Sequence, residues 1–226
     1  MTIKILTGYE GSCPYAHLAL ANFTEYSTRW GHTLVSQFAD WPPLSRSIEP
    51  DGLLNFHIRR MTWRKHTLIH QELKDCDWLL WLDPDCLILN MATSLTAFCT
   101  EDHDLIVTGP YYYAPPCTHP MYSVGILFLR NCEWTEKFLD EWWTLEDSPW
   151  RIGETECCKT EGDANWFSCH YMQRPDRSSR IKILDPRVAG TPHWLDSPDQ
   201  FIMHLHGSPP EGRLTEMQWC SKQVRR

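Results

Sequence analysis

Two aspartates stand one residue apart at a point where a long apolar run stops and then resumes. Asp83 and Asp85 follow the apolar residues 78–82, and residues 86–89 continue the run beyond them. Carboxylate oxygens are hard ligands that suit Mg²⁺ or Mn²⁺, and an ion held there can bridge to a diphosphate. Pro84 stiffens the chain between the two acids. The residue types predict a divalent-cation site, and the alternative is a solvated Asp-Pro-Asp turn.

The apolar residues before the two acids have the length and bulk of a β-strand that is covered on both faces. Parallel strands have this composition because helices pack on both sides of the sheet. Open sheets of this kind bind their ligands at the carboxyl ends of the strands. We therefore expect residues 78–82 to form a buried strand that places both carboxylates at a ligand-binding edge.

A second group of candidate ligands lies near the end of the chain. Apolar residues 201–203 lead into His204-Leu205-His206-Gly207. His204 and His206 share a face if the strand continues, because side chains alternate along a strand. The residues alone leave open whether these imidazoles bind a ligand or serve only in packing.

The first strand and the segment after it predict a place where backbone can approach a ligand. Residues 3–6 read as a short strand, and residues 7–12 read as a loop that includes Gly8 and Gly11. This loop lacks the spaced glycines of a dinucleotide fingerprint or of a P-loop. The sequence therefore supports neither an NAD site nor an ATP-hydrolysing site.

The rest of the chain alternates between helical and strand patterns, which favours an α/β fold with a mostly parallel mixed sheet flanked by helices. Gly31 supplies a stop for the first helix. The 226 residues are expected to form one domain. The helical patterns cover residues 15–30, 53–73 and 134–145, and the further strand patterns cover residues 34–38, 105–108, 122–131 and 181–184.

The composition limits which binding partners and which cellular compartment we expect for this protein. A formal net charge of -8 argues against nucleic acid as a partner. The ten cysteines have no zinc-like spacing, and no signal peptide precedes the first strand, so we expect reduced thiols in a cytoplasmic protein. No apolar run approaches the roughly 20 residues that cross a bilayer.

Together, these motifs resemble the GT-A nucleotide-sugar glycosyltransferases, and most of all the family of fungal galactosyl- and mannosyltransferases and plant xyloglucan xylosyltransferases. Their order and spacing match along nearly the whole chain. The residues that carry the resemblance are Leu6-Thr7-Gly8-Tyr9, Asn22-Phe23 with Tyr26, Arg29, Gly31 and His32, Trp63-Arg64-Lys65, the run from Trp81 to Ile88, Ser123-Val124-Gly125-Ile126 with Leu129-Arg130-Asn131 and Trp134, and His204-Leu205-His206-Gly207.

The resemblance implies a GT-A (Rossmann-like) domain with a metal centre and a donor site. Asp83, Asp85 and His204 would hold Mn²⁺ or, alternatively, Mg²⁺; a mixed set of oxygens and imidazole suits Mn²⁺ better. Lys65 would face the diphosphate or the sugar. The other donor-binding residues would be Thr7, Gly8 and Tyr9 for the base and ribose, Pro84 between the metal ligands, Ser123 and Gly125 on the sugar-site strand, and Gly207 beside the phosphates.

The implied activity is transfer of a sugar from a UDP-hexose or UDP-pentose to a glycan or glycoprotein acceptor. Residues 1–90 would form the nucleotide-binding half and residues 91–226 the sugar and acceptor half. The family retains anomeric configuration, whereas a general base at Asp163 would imply inversion. The family usually has Asn or Ala where Ser123 stands, so the contacts to the donor sugar stay open.

Two loops are candidates for contacts with the substrate, and two other functions remain as alternatives. Residues 41–51 leave the sheet near the site, and Tyr111, Tyr112 and Tyr113 are candidates for a wall facing the sugar, or for a tyrosine patch packed under a proline turn. The first alternative function is a carbohydrate-binding protein of the same fold without catalysis. The second is a nucleotidyltransferase or a hydrolase of nucleotide sugars.

Overall fold

A computed structural model describes residues 1–10, 13–39, 65–111, 120–144, 164, 167–172, 174, 179–191, 197–205 and 210–226. Several sequence-based expectations fall outside these residues and keep the standing of predictions. They concern Asp163, Gly207, His206, Arg64, Tyr112, Tyr113, the loop at residues 41–51 and the helical pattern of residues 53–64.

The centre of the fold is a six-stranded sheet with the order β2-β1-β3-β6-β5-β7. Only β6 runs antiparallel to its neighbours, so the sheet is mixed and mostly parallel, as expected. The strands are β1 (Ile3–Glu10), β2 (Thr33–Ala39), β3 (Trp78–Leu82), β5 (Leu105–Tyr111), β6 (Met121–Arg130) and β7 (Ile181–Leu184).

A smaller sheet of three strands, in the order β4-β9-β8, adjoins the large one. Its strands are β4 (Cys86–Ile88), β8 (Ala189–Thr191) and β9 (Ile202–His204). The side chain of Asn22 both donates to the carbonyl of Ile88 and accepts from its N–H, at 3.0 and 2.8 Å. This amide therefore satisfies backbone groups at an edge of β4, as a neighbouring strand would.

Helices cover the large sheet on both faces. Among the described residues, the longer helices are α1 (Ala16–Trp30), α2 (65–72), α3 (Glu133–Thr144) and α4 (Pro210–Ser221), and short helical turns lie at Leu73–Asp75, Leu95–Ala97 and Phe167–Tyr171. Helix α1 ends as expected at Gly31, whose φ of 67° is a left-handed conformation that favours glycine. None of the helices in the described ranges is both long enough and apolar enough to span a bilayer.

Strand β3 is buried on both faces, which confirms the interpretation of the apolar run. Trp78, Leu80 and Leu82 pack in one apolar cluster with α1, and Leu79 and Trp81 pack in the other, with α3. All five side chains are at most 4% exposed. Burial of each large apolar side chain contributes about 2 kcal/mol, so this strand is a rigid support for the turn that follows it.

The first strand is longer than its sequence pattern predicts. The expectation that residues 7–9 lie in a loop is wrong, because they pair with residues 36–38 of the parallel strand β2. The pairing continues to Glu10. Thr7 and Tyr9 favour strands by themselves, and backbone hydrogen bonding to β2 carries the strand through Gly8 and Glu10, which do not.

Candidate metal centre

A tight turn carries both aspartates at the carboxyl end of β3. The N–H of Cys86 donates to the carbonyl of Asp83 at 3.0 Å and closes the turn through Pro84 and Asp85. The N–H of Asp83 donates to the carbonyl of Gly125 on β6 at 2.8 Å. The turn is therefore tied to the neighbouring strand and has a defined position at the edge of the large sheet.

His204, at the end of β9, meets both carboxylates. Its Nε2 lies 3.1 Å from Oδ1 of Asp85 and 3.8 Å from Oδ2 of Asp83. Neighbouring ligands of an octahedral ion with bonds of about 2.1 Å lie about 3 Å apart. Small movements of these side chains would bring all three atoms onto one divalent cation.

The second oxygen of each carboxylate is held by a fixed donor. Nε1 of Trp81 donates to Oδ1 of Asp83 at 2.6 Å, which leaves Oδ2 on the side of His204. Nη1 of Arg213, from α4, lies 3.1 Å from Oδ2 of Asp85, which leaves Oδ1 beside the imidazole. Both carboxylates are thus oriented in advance with one oxygen toward the histidine.

Ser123 orients the imidazole from behind. Its Oγ lies 3.1 Å from Nδ1 of His204 and accepts a hydrogen bond from the N–H of Gly125 at 3.2 Å. When Nδ1 carries the proton and donates a hydrogen bond to Ser123, Nε2 is unprotonated and its lone pair faces the carboxylates. A metal ion requires this tautomer.

Gly125 leaves the space in which the ligand atoms meet. A Cβ at this position would lie 2.7 Å from Oδ2 of Asp83 and 2.7 Å from Nε2 of His204, closer than side chains approach in proteins. Any larger residue would therefore fill the space between the ligands. Two carboxylates and one imidazole around a gap of this size fit a divalent cation such as Mn²⁺.

The carboxylates and the imidazole of the site stabilise each other's charged forms. Burial opposes ionisation of Asp85, but the charge and hydrogen bond of His204, with the charge of Arg213, lower the pKa of this carboxyl below its usual value. Burial also opposes protonation of His204, yet Asp85 and Asp83 raise its pKa above the usual value. Protons and a metal ion would therefore compete for the same imidazole nitrogen.

The other residues that the sequence singled out occupy different positions around this centre. Lys65 is 5% exposed, and its Nζ donates to the carbonyl of Val124 at 3.0 Å, one residue before Gly125. Thr7 is 1% exposed, so its hydroxyl is inside the protein, whereas Gly8 packs against the ring of Trp81. Tyr9 lies on β1, and Pro84 is half-buried within the turn.

Tyr111 lies at the end of β5, and its hydroxyl donates a short hydrogen bond to the carbonyl of Gly190 on β8. This bond ties the large sheet to the small one. The side chain is half-buried, and its expected contact with a sugar stays a prediction.

Two residues of the site were missed at the level of sequence. Arg213 contacts Asp85 and also donates to the hydroxyl of Tyr15 at 3.2 Å, although nothing in its local pattern distinguishes it from a solvated helix residue. Cys86 lies directly opposite His204 in the small sheet. The sequence did contain one sign of this residue, because Cys86 directly follows Asp85 at the start of an apolar run. Only the pairing of β4 with β9 shows that it lies beside His204.

Comparison with known proteins identifies relatives in sequence among glycosyltransferases, although no protein-family model matches the chain. Probable glycosyltransferase 3 of Oryza sativa subsp. indica is 30% identical over 145 residues, which are 62% of this chain and 29% of that protein. Xyloglucan 6-xylosyltransferase 4 of Arabidopsis thaliana is 30% identical over 76 residues, which are 33% of this chain and 14% of that protein. The matches thus span less than a third of these relatives' lengths.

Comparison with solved structures identifies the fold. A glycosyltransferase involved in the glycosylation of the major capsid of PBCV-1 superposes with a TM-score of 0.70 and 18% sequence identity. The superposition covers 97% of this chain and 100% of that one. The chain therefore has the GT-A fold, and the resemblance to glycosyltransferases that its motifs predict is confirmed by both comparisons.

Proposed function

We propose that this chain is a metal-dependent glycosyltransferase that moves a sugar from a nucleotide-sugar to a glycan acceptor. The observation that carries the proposal is the convergence of Asp83, Asp85 and His204 at the carboxyl edge of a GT-A sheet. The donor that we propose is a UDP-hexose or UDP-pentose, because the motifs resemble a family that uses such donors. The acceptor is a glycan or a glycoprotein.

Three side chains would hold the ion, which we propose to be Mn²⁺, with Mg²⁺ as the alternative. When bound, the ion supplies a Lewis acid that offsets the negative charge on the departing nucleoside diphosphate. Asp83 and Asp85 supply oxygens and His204 supplies Nε2. Trp81 and Ser123 keep these groups aimed at one point, because each occupies the other polar atom of its partner.

Two cations flank the ligands and are suited to a diphosphate. Arg213 is partly exposed beside Asp85; burial opposes its charge, but Asp85 and Tyr15 raise the pKa of its guanidinium above the usual value. Lys65 reaches the carbonyl next to Gly125. We propose that Arg213 contacts the diphosphate oxygens when the ion takes over Asp85, and that Lys65 faces the diphosphate or the sugar.

We infer positions for the nucleotide and the sugar from the order and register of the strands. The parallel register Leu6↔Trp81 places residues 7–9 of β1 level with the metal turn, so we propose that Thr7, Gly8 and Tyr9 border the base and ribose. Residues 1–90 then form the nucleotide half and residues 91–226 the sugar and acceptor half. Retention of configuration is proposed, with inversion the outcome expected if Asp163 is a general base.

Calorimetric titration of UDP with and without Mn²⁺ tests the metal-dependent part of this proposal. The parent should bind UDP in the presence of Mn²⁺ and lose most of that affinity with a chelator. His204→Ala should lose the Mn²⁺-dependent part, whereas His17→Ala, an exposed position on α1, is the matched control and should behave like the parent. Binding that is equal with and without Mn²⁺ contradicts the proposal.

A panel of UDP- and GDP-sugars, each tested with and without a glycan acceptor, separates the activity from its alternatives. A glycosyltransferase forms a new glycoside whose amount matches the nucleoside diphosphate released. A hydrolase or nucleotidyltransferase turns over the donor without forming a glycoside. A carbohydrate-binding protein without catalysis leaves every donor intact and binds the glycan alone.

A further inference from the structure

A buried thiol lies against the metal ligands. Strands β4 and β9 pair antiparallel, and Cys86 is the direct partner of His204 in that register. Residues that face each other in an antiparallel pair project from the same face of the sheet. Cys86 is 0% exposed, and it follows Asp85 immediately in the chain. The strand pairing thus brings a soft sulfur ligand to the same place as an imidazole and a carboxylate.

The distances permit a shared ion. One ligand atom from each of Asp85, Cys86 and His204 lies within 4.8 Å of the other two. The sulfur donates at 3.7 Å to the carbonyl of Gly125, the same carbonyl that accepts the N–H of Asp83. Cys86 therefore lies within the turn that presents the carboxylates, rather than beyond it in the apolar layer alone.

We propose that this site accepts a thiophilic divalent cation of the Zn²⁺ class through Asp85, Cys86 and His204. The inference deepens the proposed function because it concerns the ion preference of the same centre. Three protein ligands of the O, S and N types with one open position form a typical tetrahedral zinc arrangement. The hard ion of the proposed reaction uses Asp83, Asp85 and His204, so the two ligand sets share two residues.

Binding through sulfur is a simple exchange. The S–H bond of Cys86 breaks, its proton goes to solvent, and a sulfur–metal bond forms without change of oxidation state. Because both ligand sets need Nε2 of His204, which can bind only one ion, Zn²⁺ and Mn²⁺ exclude each other. Zinc should therefore inhibit Mn²⁺-dependent UDP binding through displacement of the manganese ion, and the sulfur strengthens its hold.

Cobalt absorption tests the sulfur ligand directly. Co²⁺ added to the metal-free parent should give a near-ultraviolet sulfur-to-cobalt charge-transfer band, and the band should be absent from Cys86→Ser. Cys76→Ser removes another buried thiol, outside the centre, and should keep the band. Absence of the band from the parent, or its persistence in Cys86→Ser, overturns the proposal.

Zinc titration supplies a second readout that does not depend on activity. The affinity for Zn²⁺ should fall more than about 10-fold in Cys86→Ser, since loss of even an outer partner of a metal ligand costs about that much. Thermal unfolding of each variant is measured in parallel, and Cys86→Ala replaces the serine variant if that variant does not fold. An unchanged affinity in a folded variant contradicts the inference.

The outcomes also distinguish this inference from the proposed function. A missing cobalt band in a parent that binds UDP with Mn²⁺ removes the sulfur ligand and leaves the glycosyltransferase proposal intact. A cobalt band in a parent that binds no UDP with Mn²⁺ supports the sulfur ligand and contradicts the glycosyltransferase proposal.

Discussion

Two buried aspartates lie at opposite ends of the strands of the large sheet, and they differ in the residues that contact them. Asp104 precedes β5 at its amino end and is 0% exposed. Its carboxylate contacts Arg130 Nη1 at 3.5 Å and Arg180 Nε at 2.6 Å. Asp85 follows the carboxyl end of β3, is 5% exposed, and contacts His204 and Arg213.

The partners of Asp104 can only hold it in place, whereas those of Asp85 leave it beside a group that can exchange its proton. Both partners of Asp104 carry permanent charges, and its backbone bonds to the same two residues at 2.8 and 2.9 Å, so this group joins β5, β6 and β7. Asp85 instead shares an imidazole with a second carboxylate across the space beside Gly125. A histidine can lose its proton to a solvent base, and a metal ion can then take the proton's place.

Asp104→Asn should give the largest loss of stability. Asparagine removes the buried charge that accepts hydrogen bonds from two arginines, and its amide N–H groups cannot replace that acceptor, so the free energy of unfolding should fall by about 3 kcal/mol. Urea unfolding measures this change, and Asp102→Asn, on the exposed side of the same segment, is the control. Mn²⁺-dependent UDP binding of the folded fraction should be parental; a specific loss of that binding would break the comparison.

Asp85→Asn should have the complementary effect. The change keeps the size of the side chain but removes one of two carboxylate charges, so Mn²⁺-dependent UDP binding should weaken more than about 100-fold. The free energy of unfolding should change less than in Asp104→Asn, since His204 can lose its proton and become neutral, whereas the arginines beside Asp104 cannot. Calorimetry and urea unfolding on both variants give the comparison, and parental UDP binding in Asp85→Asn would refute the metal site.

Ser123→Ala sharpens the comparison at the level of the imidazole. The hydroxyl contacts Nδ1 of His204, so its loss frees the ring to rotate and to change tautomer, and metal affinity should fall about 10-fold. Mn²⁺ titration by electron paramagnetic resonance measures the affinity. Ser36→Ala, exposed on β2, is the matched control, and Ser123→Thr should restore much of the affinity only if the hydroxyl, rather than packing, is responsible.

His66 offers the smallest predicted effect and extends the comparison to histidines. It lies edge-on to Trp142 with ring centroids 4.9 Å apart, and burial, with the charges of His70 and Lys65, lowers its pKa to about 3 from 6.5. As the pH falls through 6.5, this histidine takes up a proton in the unfolded chain but not in the folded protein. Protonation therefore favours the unfolded state and lowers the free energy of unfolding. Between about pH 7 and about pH 5.5 this residue should cost about 1 kcal/mol of unfolding free energy.

Urea unfolding of the parent and of His66→Phe at both pH values checks this estimate. The variant should show the smaller acid-induced loss, because phenylalanine has no proton to bind. Equal losses in the two proteins would show that folding does not lower the pKa of His66.

Local sequence determined the elements that need no distant partner. Five apolar residues in a row specify β3 as a strand buried on both faces, and Gly31 ends α1 because its left-handed φ suits glycine. The Asp-Pro-Asp segment forms a turn at the strand end, where ligand sites of open sheets lie. Fold class and the carboxylates of the centre were therefore predictable.

Tertiary structure decided what surrounds those carboxylates. Pairing with β2 carries β1 beyond its apolar part, and pairing of β4 with β9 sets Cys86 opposite His204. Arg213 reaches Asp85 from α4, near the other end of the chain, without any local pattern that predicts the contact. Periodicity and turn chemistry report which residues a segment buries, but the neighbours of a buried group depend on which strands and helices meet, and only the folded chain determines that.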